Sequence, residues 1–147
     1  MSEMESPVDV VVQLLSENMH VVKEDESLAN IQVSREWLSQ EALPQDVDGQ
    51  VTVGLTESVD QKLELTGRLR RRVLTIRVNV WSRDLAIRNK MVEEVLRVVR
   101  ENRTNPGGSL HYLDVVSYRD VDRVDVKPPI FRTEFVLKSW VFENIGV

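Results

Sequence analysis

Three closely spaced aspartates are the side chains in this sequence best placed to do chemistry. They are Asp120, Asp122 and Asp125. Carboxylate oxygens bind Mg²⁺ and Ca²⁺. One hypothesis for this spacing is therefore a metal site, or metal-dependent hydrolysis as in a nuclease. A calcium loop also needs further oxygen ligands, a glycine and a distal glutamate, and no base or nucleophile accompanies the aspartates. Because Arg119 and Arg123 flank them, we expect local ion pairs, no metal and no catalysis.

The other candidate ligands and general bases are isolated. His20 and His111 stand in no zinc-type spacing, and the chain has no cysteine to complete a site or form a disulfide. Glu93 and Glu94 are adjacent on a predicted helix, so their side chains point in different directions and do not share a proton. The spacing of the charges instead predicts a solvent face with ion pairs, Lys90 with Glu94 and Glu93 with Arg97. The residues therefore predict no cofactor and no enzyme.

Four arginines within five residues are the most informative charges: Arg68, Arg70, Arg71 and Arg72. One interpretation is a solvated strand end that discourages edge pairing. The other is an electrostatic contact with an acidic partner or with passing DNA. No aromatic residue is interleaved with them, so the sequence predicts no stacking platform for single strands.

Length and composition indicate one folded domain spanning residues 1–147. A chain of 147 residues, 41% apolar and 29% charged, can bury a core without metals or disulfides. Its net charge of −5 argues against a general nucleic-acid binder. The sequence contains no apolar run long enough for a membrane span and begins without a secretory signal pattern. The absence of cysteine fits a reducing cytoplasm.

Two periodicities meet between Arg68 and Arg103. A strict alternation of apolar and polar residues predicts a half-buried strand over 69–81. Apolar residues then recur at helical spacing over 85–101, with Ser82 or Asp84 as the N-cap. Trp81 lies at the junction, opposite the apolar row, and is expected to anchor this corner or to mark a contact surface.

The remaining patterns complete an α+β fold. Ser6 as N-cap and Pro7 in the first turn predict a helix over about 7–19. Alternation predicts strands near 31–33, 51–57, 110–118 and 130–142, of which 110–118 has apolar residues on both faces, as an interior strand does. Residues 35–50 and 58–68 are expected to be loop-rich, with a turn near Val59 and Asp60, and residues 1–5 to be disordered. We predict a mainly antiparallel or mixed sheet with the N-terminal helix and one long amphipathic helix packed on it.

The block Val73–Asp84, followed by the helix over 85–101, resembles the tail-terminator, or tail-completion, and head–tail joining proteins of long-tailed bacteriophages and related prophages. In that family a strand ends in an aromatic and a small residue before a long amphipathic helix, here Trp81 and Ser82. The segment Phe131–Phe142 resembles the aromatic final strand of the family. The order of elements agrees over most of the chain, while residues 35–67 depart from the family pattern.

The resemblance implies a structural protein that acts in the virion and is assembled in the host cytoplasm. Family members form homo-oligomeric rings, commonly hexamers, which contact tail-tube or head-connector proteins and let DNA pass through a lumen. No catalysis, cofactor or membrane is implied, and Arg68 to Arg72 would face a neighbouring subunit or the lumen. The alternative is a small host module that binds protein or nucleic acid through Arg68 to Arg72. A third hypothesis is an enzyme that uses the aspartates with a metal.

Overall fold

The computed structural model describes residues 6–35, 47–63, 69–104, 106–107, 110–122 and 129–144. Two helices and five strands occur in this order: α1 (Pro7–Asn18), β1 (Ile31–Arg35), β2 (Gly49–Lys62), β3 (Leu69–Ser82), α2 (Leu85–Glu101), β4 (Tyr112–Asp120) and β5 (Phe131–Asn144). The strands form one sheet in the order β1-β2-β3-β5-β4. Only β1 and β2 pair in parallel. The predicted α+β class with a mixed, mainly antiparallel sheet is confirmed.

Both helices pack on the same face of the sheet and share one apolar core with it. The alternation in β3 decides which face this is, since Leu74, Ile76, Val78 and Val80 are all buried. We call this side the helix face and the other side the open face. No helix in the described part of the chain packs on the open face. No described helix is long and apolar enough to cross a membrane.

The helix starts follow the predicted positions but not all the predicted contacts. Pro7 is the first residue of α1, yet the side chain of Ser6 makes no capping hydrogen bond and instead accepts from Arg35 Nη2 at 3.4 Å. At α2 the two N-cap candidates, Ser82 and Asp84, make different hydrogen bonds. Asp84 accepts from the N–H of Ala86 at 2.9 Å, whereas Ser82 Oγ donates to the carbonyl of Asp48 at 2.7 Å. Asp84 is therefore the N-cap, and Ser82 ties the strand to the start of β2.

The predicted ion pairs along α2 are wrong. Arg97 pairs with Glu94 at 2.8 Å and with Glu101 at 2.9 Å, so it bonds to the turns on both sides of it. Lys90 donates instead to the carbonyl of Val22 at 2.6 Å. Both cations lie near the segment that follows α1, because Arg97 Nη2 also donates to the carbonyl of Asn18 at 2.7 Å. These side chains attach α2 to the end of α1 rather than forming a solvent-facing row.

The turn predicted near Val59 and Asp60 is wrong, because β2 continues to Lys62. Val59 lies opposite Val73, and Asp60 lies opposite Arg72. This part of β2 carries no apolar alternation because all of its side chains are exposed, and backbone pairing with β3 holds it in the sheet. We call Leu55–Lys62 with the paired Leu69–Thr75 the arm.

The other predicted loop region, residues 35–50, overlaps the ends of two strands. Arg35 closes β1, and residues 49 and 50 belong to β2, so the loop-rich interval of 35–50 is too wide at both ends. Residues 36–46, 64–68 and 1–5 lie outside the described part of the chain. β1 pairs with β2 only as far as Val53, so the outer edge of residues 54–62 has no strand partner among the described residues.

The interior position predicted for the strand over 110–118 is also wrong. Among the described strands, β4 pairs only with β5, and it forms an edge of the sheet. Leu110 and Leu113 are buried, but two other apolar residues of this segment are exposed, with 58% of Val116 and 49% of Tyr118 accessible to solvent. A β-bulge between Val115 and Ser117 makes Val116 an extra residue on the edge.

Candidate interaction surfaces

The arginine cluster does not form one patch. Successive side chains of a strand point to opposite faces, so Arg71 lies on the open face while Arg70 and Arg72 lie on the helix face. Arg71 Nη2 donates to Gln61 Oε1 at 2.6 Å, and its Nε donates to the same oxygen at 3.1 Å. Arg70 and Arg72 also interact with other groups of the chain. Arg68 lies outside the described residues.

Aromatic rings lie close to Arg71 in the fold, although none is near it in sequence. Its guanidinium lies 5.1 Å from the centroid of Trp140, which stacks on Tyr112 with ring centroids 4.0 Å apart. Because β5 lies between β3 and β4, Arg71 and Tyr112 approach Trp140 from opposite sides. Arg71 and Tyr112 thus both contact this indole. The absence of a stacking platform for single strands stays a prediction.

Trp81 has the contacts of a corner anchor. Its side chain is half-buried, and Nε1 donates to Thr52 Oγ1 at 3.3 Å. The guanidinium of Arg132 lies 5.0 Å from its ring centroid, on the neighbouring strand. The indole thus joins β2, β3 and β5 at the point where β3 leads into α2. Its alternative role as an interface residue stays a prediction.

Asp120 and Asp122 belong to an ion-pair node centred on the buried Arg88, a residue that the sequence reasoning missed. Arg88 on α2 has only 4% of its side chain exposed, and its Nη1 lies 2.6 Å from Asp122 Oδ1 and 3.5 Å from Asp120 Oδ1. The same nitrogen donates to the carbonyl of Arg132 at 3.2 Å. The predicted pairing with adjacent arginines is therefore wrong for the described residues, since Arg119 pairs with Glu134 at 3.7 Å. Asp125 and Arg123 lie outside the described part of the chain.

A sequence signal for this node existed. Arg88 precedes Met91, Val92 and Val95 at intervals of three, four and seven, which places it on the buried stripe of α2. A cation on that stripe needs a buried anion. Within the described ranges, no group of three or more histidine, aspartate or glutamate side chains is placed to hold a metal ion.

The histidines have local contacts. His111 Nδ1 accepts from the N–H of Phe142 at 3.3 Å, and its ring meets the ring of Phe142 edge to face. His20 is exposed, and its backbone N–H donates to Glu94 Oε1 at 2.8 Å. Both agree with the prediction of surface or edge residues.

A groove of about 760 Å³ runs between the end of α2 and the edge strand β4. Arg100 and Arg103 form its basic side, and Asp114 lies in its wall. Val116 and Tyr118 provide exposed apolar surface along the strand. The groove thus brings charged and apolar side chains together on the surface.

Comparisons with known proteins find similarity in structure and none in sequence. No protein-family profile matches the sequence, and no curated protein matches it. A chain from the virion of a native gene transfer agent particle is similar in structure, with a TM-score of 0.51 and 14% sequence identity. The match covers 90% of this chain and 84% of that chain. At this identity the likeness shows a shared fold.

Proposed function

We propose that this protein is a structural component of a phage-like virion. The observation that carries the proposal is the fold shared with a virion chain over 90% of the length of this protein. The resemblance of Val73–Asp84, α2 and the final strand to tail-terminator and head–tail joining proteins points the same way. The two findings come from different information, one from sequence pattern and one from the backbone as a whole.

The finer proposal is a ring-forming tail terminator or head–tail joining protein without catalytic activity. The fold offers surfaces for subunit association, since the edge strand β4 and the part of β2 that extends beyond β1 have exposed apolar side chains. Its partners would be further copies of itself and the tail-tube or head-connector proteins, with DNA passing through the lumen. Division of the arginines between two faces gives no support to a separate binding module built on Arg68 to Arg72.

The decisive experiment is a gene deletion in the source organism, followed by purification of DNase-resistant particles. We expect the protein in wild-type particles by mass spectrometry, and deletion should abolish intact particles in electron micrographs. Loss of a terminator should leave tails of uncontrolled length, whereas loss of a joining protein should leave normal tails beside separate heads. Normal particles after deletion would reject a virion role.

A second measurement addresses the ring itself. Light scattering on a size-exclusion column, over a concentration series, should show a discrete oligomer or its growth with concentration. Electron micrographs of that fraction should show closed rings with a central opening. Open filaments or irregular aggregates would contradict the ring.

A further inference from the structure

We propose that two copies of this chain pair through the outer edge of β2, over residues 59–63, with their strands antiparallel. The contact goes beyond the proposed function, because a two-fold contact closes after two copies and does not itself build a ring. Three observations carry it: the free backbone groups of this edge, the hydrogen bonds that close the opposite edge of the sheet, and the register in which the strand matches itself.

The backbone groups of the arm alternate between β3 and solvent. The N–H of Leu63 donates to the carbonyl of Leu69 at 2.9 Å, in the register that joins β2 to β3 along the arm. Every second residue back from Leu63 therefore turns its N–H and C=O groups toward β3. The groups that point away from the sheet belong to Ser58, Asp60 and Lys62. β1 does not reach these residues, and no strand in the described part of the chain covers them.

The opposite edge of the sheet, β4, is closed to strand addition over its first half. The N–H of Leu113 donates to the carbonyl of Arg103 at 2.8 Å, and the N–H of Val115 donates to Asp114 Oδ1 at 2.9 Å. The β-bulge at Val116 follows directly and interrupts the edge. An edge of this kind resists pairing with another strand, whereas the free edge of the arm is a template for it.

The sequence of the free edge matches itself when two strands run antiparallel. A pairing centred on Gln61 places Asp60 opposite Lys62 of the second copy, and by symmetry Lys62 opposite Asp60. The backbone groups of both residues point outward, so each such pair exchanges two hydrogen bonds. Val59 then lies opposite Leu63, and both side chains are 42% exposed on the open face. A register shifted by two residues would instead oppose like charges, Asp60 against Asp60 or Lys62 against Lys62.

The arginines of the arm lie one strand inward from this contact. Lys62 is opposite Arg70 and Asp60 is opposite Arg72, and both arginines interact with other groups of the chain. Lys62 therefore has a like charge beside it in its own chain, and the carboxylate of the second copy supplies an opposite one. The arm as a whole carries four cations and two anions. The contact thus depends on backbone bonds, apolar pairs and local register rather than on net charge.

Engineered cysteines test this register, since the chain has no cysteine of its own. Residue 61 of the two copies lies on the two-fold axis, where the Cα atoms of such a pair are about 4.5 Å apart. Gln61→Cys should therefore form a disulfide-linked dimer under oxidation. The matched control is Val59→Cys, on the same face of the same strand, whose Cα atoms would be about 14 Å apart and should stay unlinked. Equal linkage of the two variants would overturn the register.

A second pair of variants leaves the bond between Gln61 and Arg71 intact. Asp60→Cys mixed with Lys62→Cys should give a linked dimer, because these positions are directly opposite, with about 5.5 Å between Cα atoms. Each variant alone should link far less, since two copies of one position are offset by two residues. Absence of a linked dimer both in this mixture and in Gln61→Cys would overturn the proposal.

Charge reversal tests the same contact without oxidation. Lys62→Asp sets carboxylates against each other and Asp60→Lys sets ammonium groups against each other, so each variant alone should dimerise about tenfold more weakly than wild type. An equimolar mixture of the two should regain the wild-type affinity, because every pair is again opposite in sign. Glu24→Lys, at an exposed acid elsewhere, is the control and should dimerise like wild type. Light scattering over a concentration series measures all of these, and a mixture no tighter than the single variants would overturn the proposal.

The outcomes separate this contact from the virion role. Linked dimers from a protein absent from particles would keep the contact and reject the proposed function. A protein present in particles whose wild type stays monomeric at all concentrations, and whose cysteine variants stay unlinked, would keep the function and reject the contact.

Discussion

The guanidinium of Arg88 and the carboxylate of Asp122 are joined at 2.6 Å, although 34 residues separate them in sequence. Arg88 lies in the first turn of α2, and Asp122 follows the end of β4. The same nitrogen reaches the carbonyl of Arg132 near the start of β5. One buried cation thus fixes the start of the helix against the edge of the sheet.

Removing the anion from this pair should be costly. We expect Asp122→Ala to lower the free energy of unfolding by about 2–3 kcal/mol, because Arg88 stays buried without its closest charged partner. Asp120→Ala should cost less, since that carboxylate is 60% exposed and lies 3.5 Å away. Urea unfolding followed by circular dichroism measures both. Equal costs for the two variants would show that the 2.6 Å contact has no special role.

Gly49 lies against the end of the Met91 side chain. A Cβ at position 49 would lie 2.5 Å from Met91 Sδ and 2.9 Å from its Cε, within a fully buried part of the core. Gly49→Ala should therefore cost about 1–3 kcal/mol by overpacking. Combined with Met91→Val, which shortens the side chain, it should cost less than the sum of the single changes. Strict additivity in urea unfolding would contradict the clash.

Glu94 should make stability depend on pH. A hydrogen bond from Arg97, helped by the backbone N–H of His20, lowers the pKa of Glu94 against the opposing effect of burial. A folded-state pKa below the unfolded value of 4.5 means stability that is present above that pH and lost as pH falls through the folded pKa. We expect Glu94→Gln to cost about 1–2 kcal/mol at neutral pH.

The difference between wild type and Glu94→Gln should shrink as the pH falls below 4.5, the unfolded value of this carboxyl. The neighbouring Glu93 is exposed, so Glu93→Gln is the matched control and should change stability little at any pH. Unfolding curves at several pH values provide the measurement. A cost for Glu94→Gln that stays constant down to strong acid would count against the ionised pair.

Trp81 should act as a structural anchor rather than as an assembly residue. Trp81→Phe loses the bond to Thr52 and should cost about 0.5–1.5 kcal/mol. Trp81→Ala also loses the apolar body and the contact with Arg132, and should cost about 2–3 kcal/mol. Neither change should alter the oligomer seen by light scattering, because the indole is held by Thr52 and Arg132 of its own chain. Weakened assembly at unchanged monomer stability would make it an interface residue instead.

The sequence predicted the helices and strands that bury one face and expose the other. The alternation in β3 and the helical spacing in α2 each place a row of apolar side chains against one surface, so local sequence is enough to assign the element. The bounds of α1 and the strand-to-helix junction at Ser82 to Asp84 follow for the same reason. The prediction failed over residues 58–62, where no face is buried and only pairing with β3 keeps the chain extended.

The candidate surfaces were predictable only in part. The exposed Val116 and Tyr118 looked like interior residues, because local sequence cannot distinguish apolar side chains buried by a neighbour strand from those left for a partner. The four arginines looked like one patch, although the pleat of the strand sends Arg71 to one face and Arg70 and Arg72 to the other.

By itself, the sequence determined the α+β class, the long helix after a half-buried strand and the absence of thiol chemistry. These properties follow from composition and from periodicities of two and 3.6 residues, which are local. The tertiary structure decided the strand order, the ion pairs of Arg88 and the placement of arm and groove on opposite edges of the sheet. Each of these depends on contacts between residues distant in sequence, and no local pattern encodes which strands become neighbours.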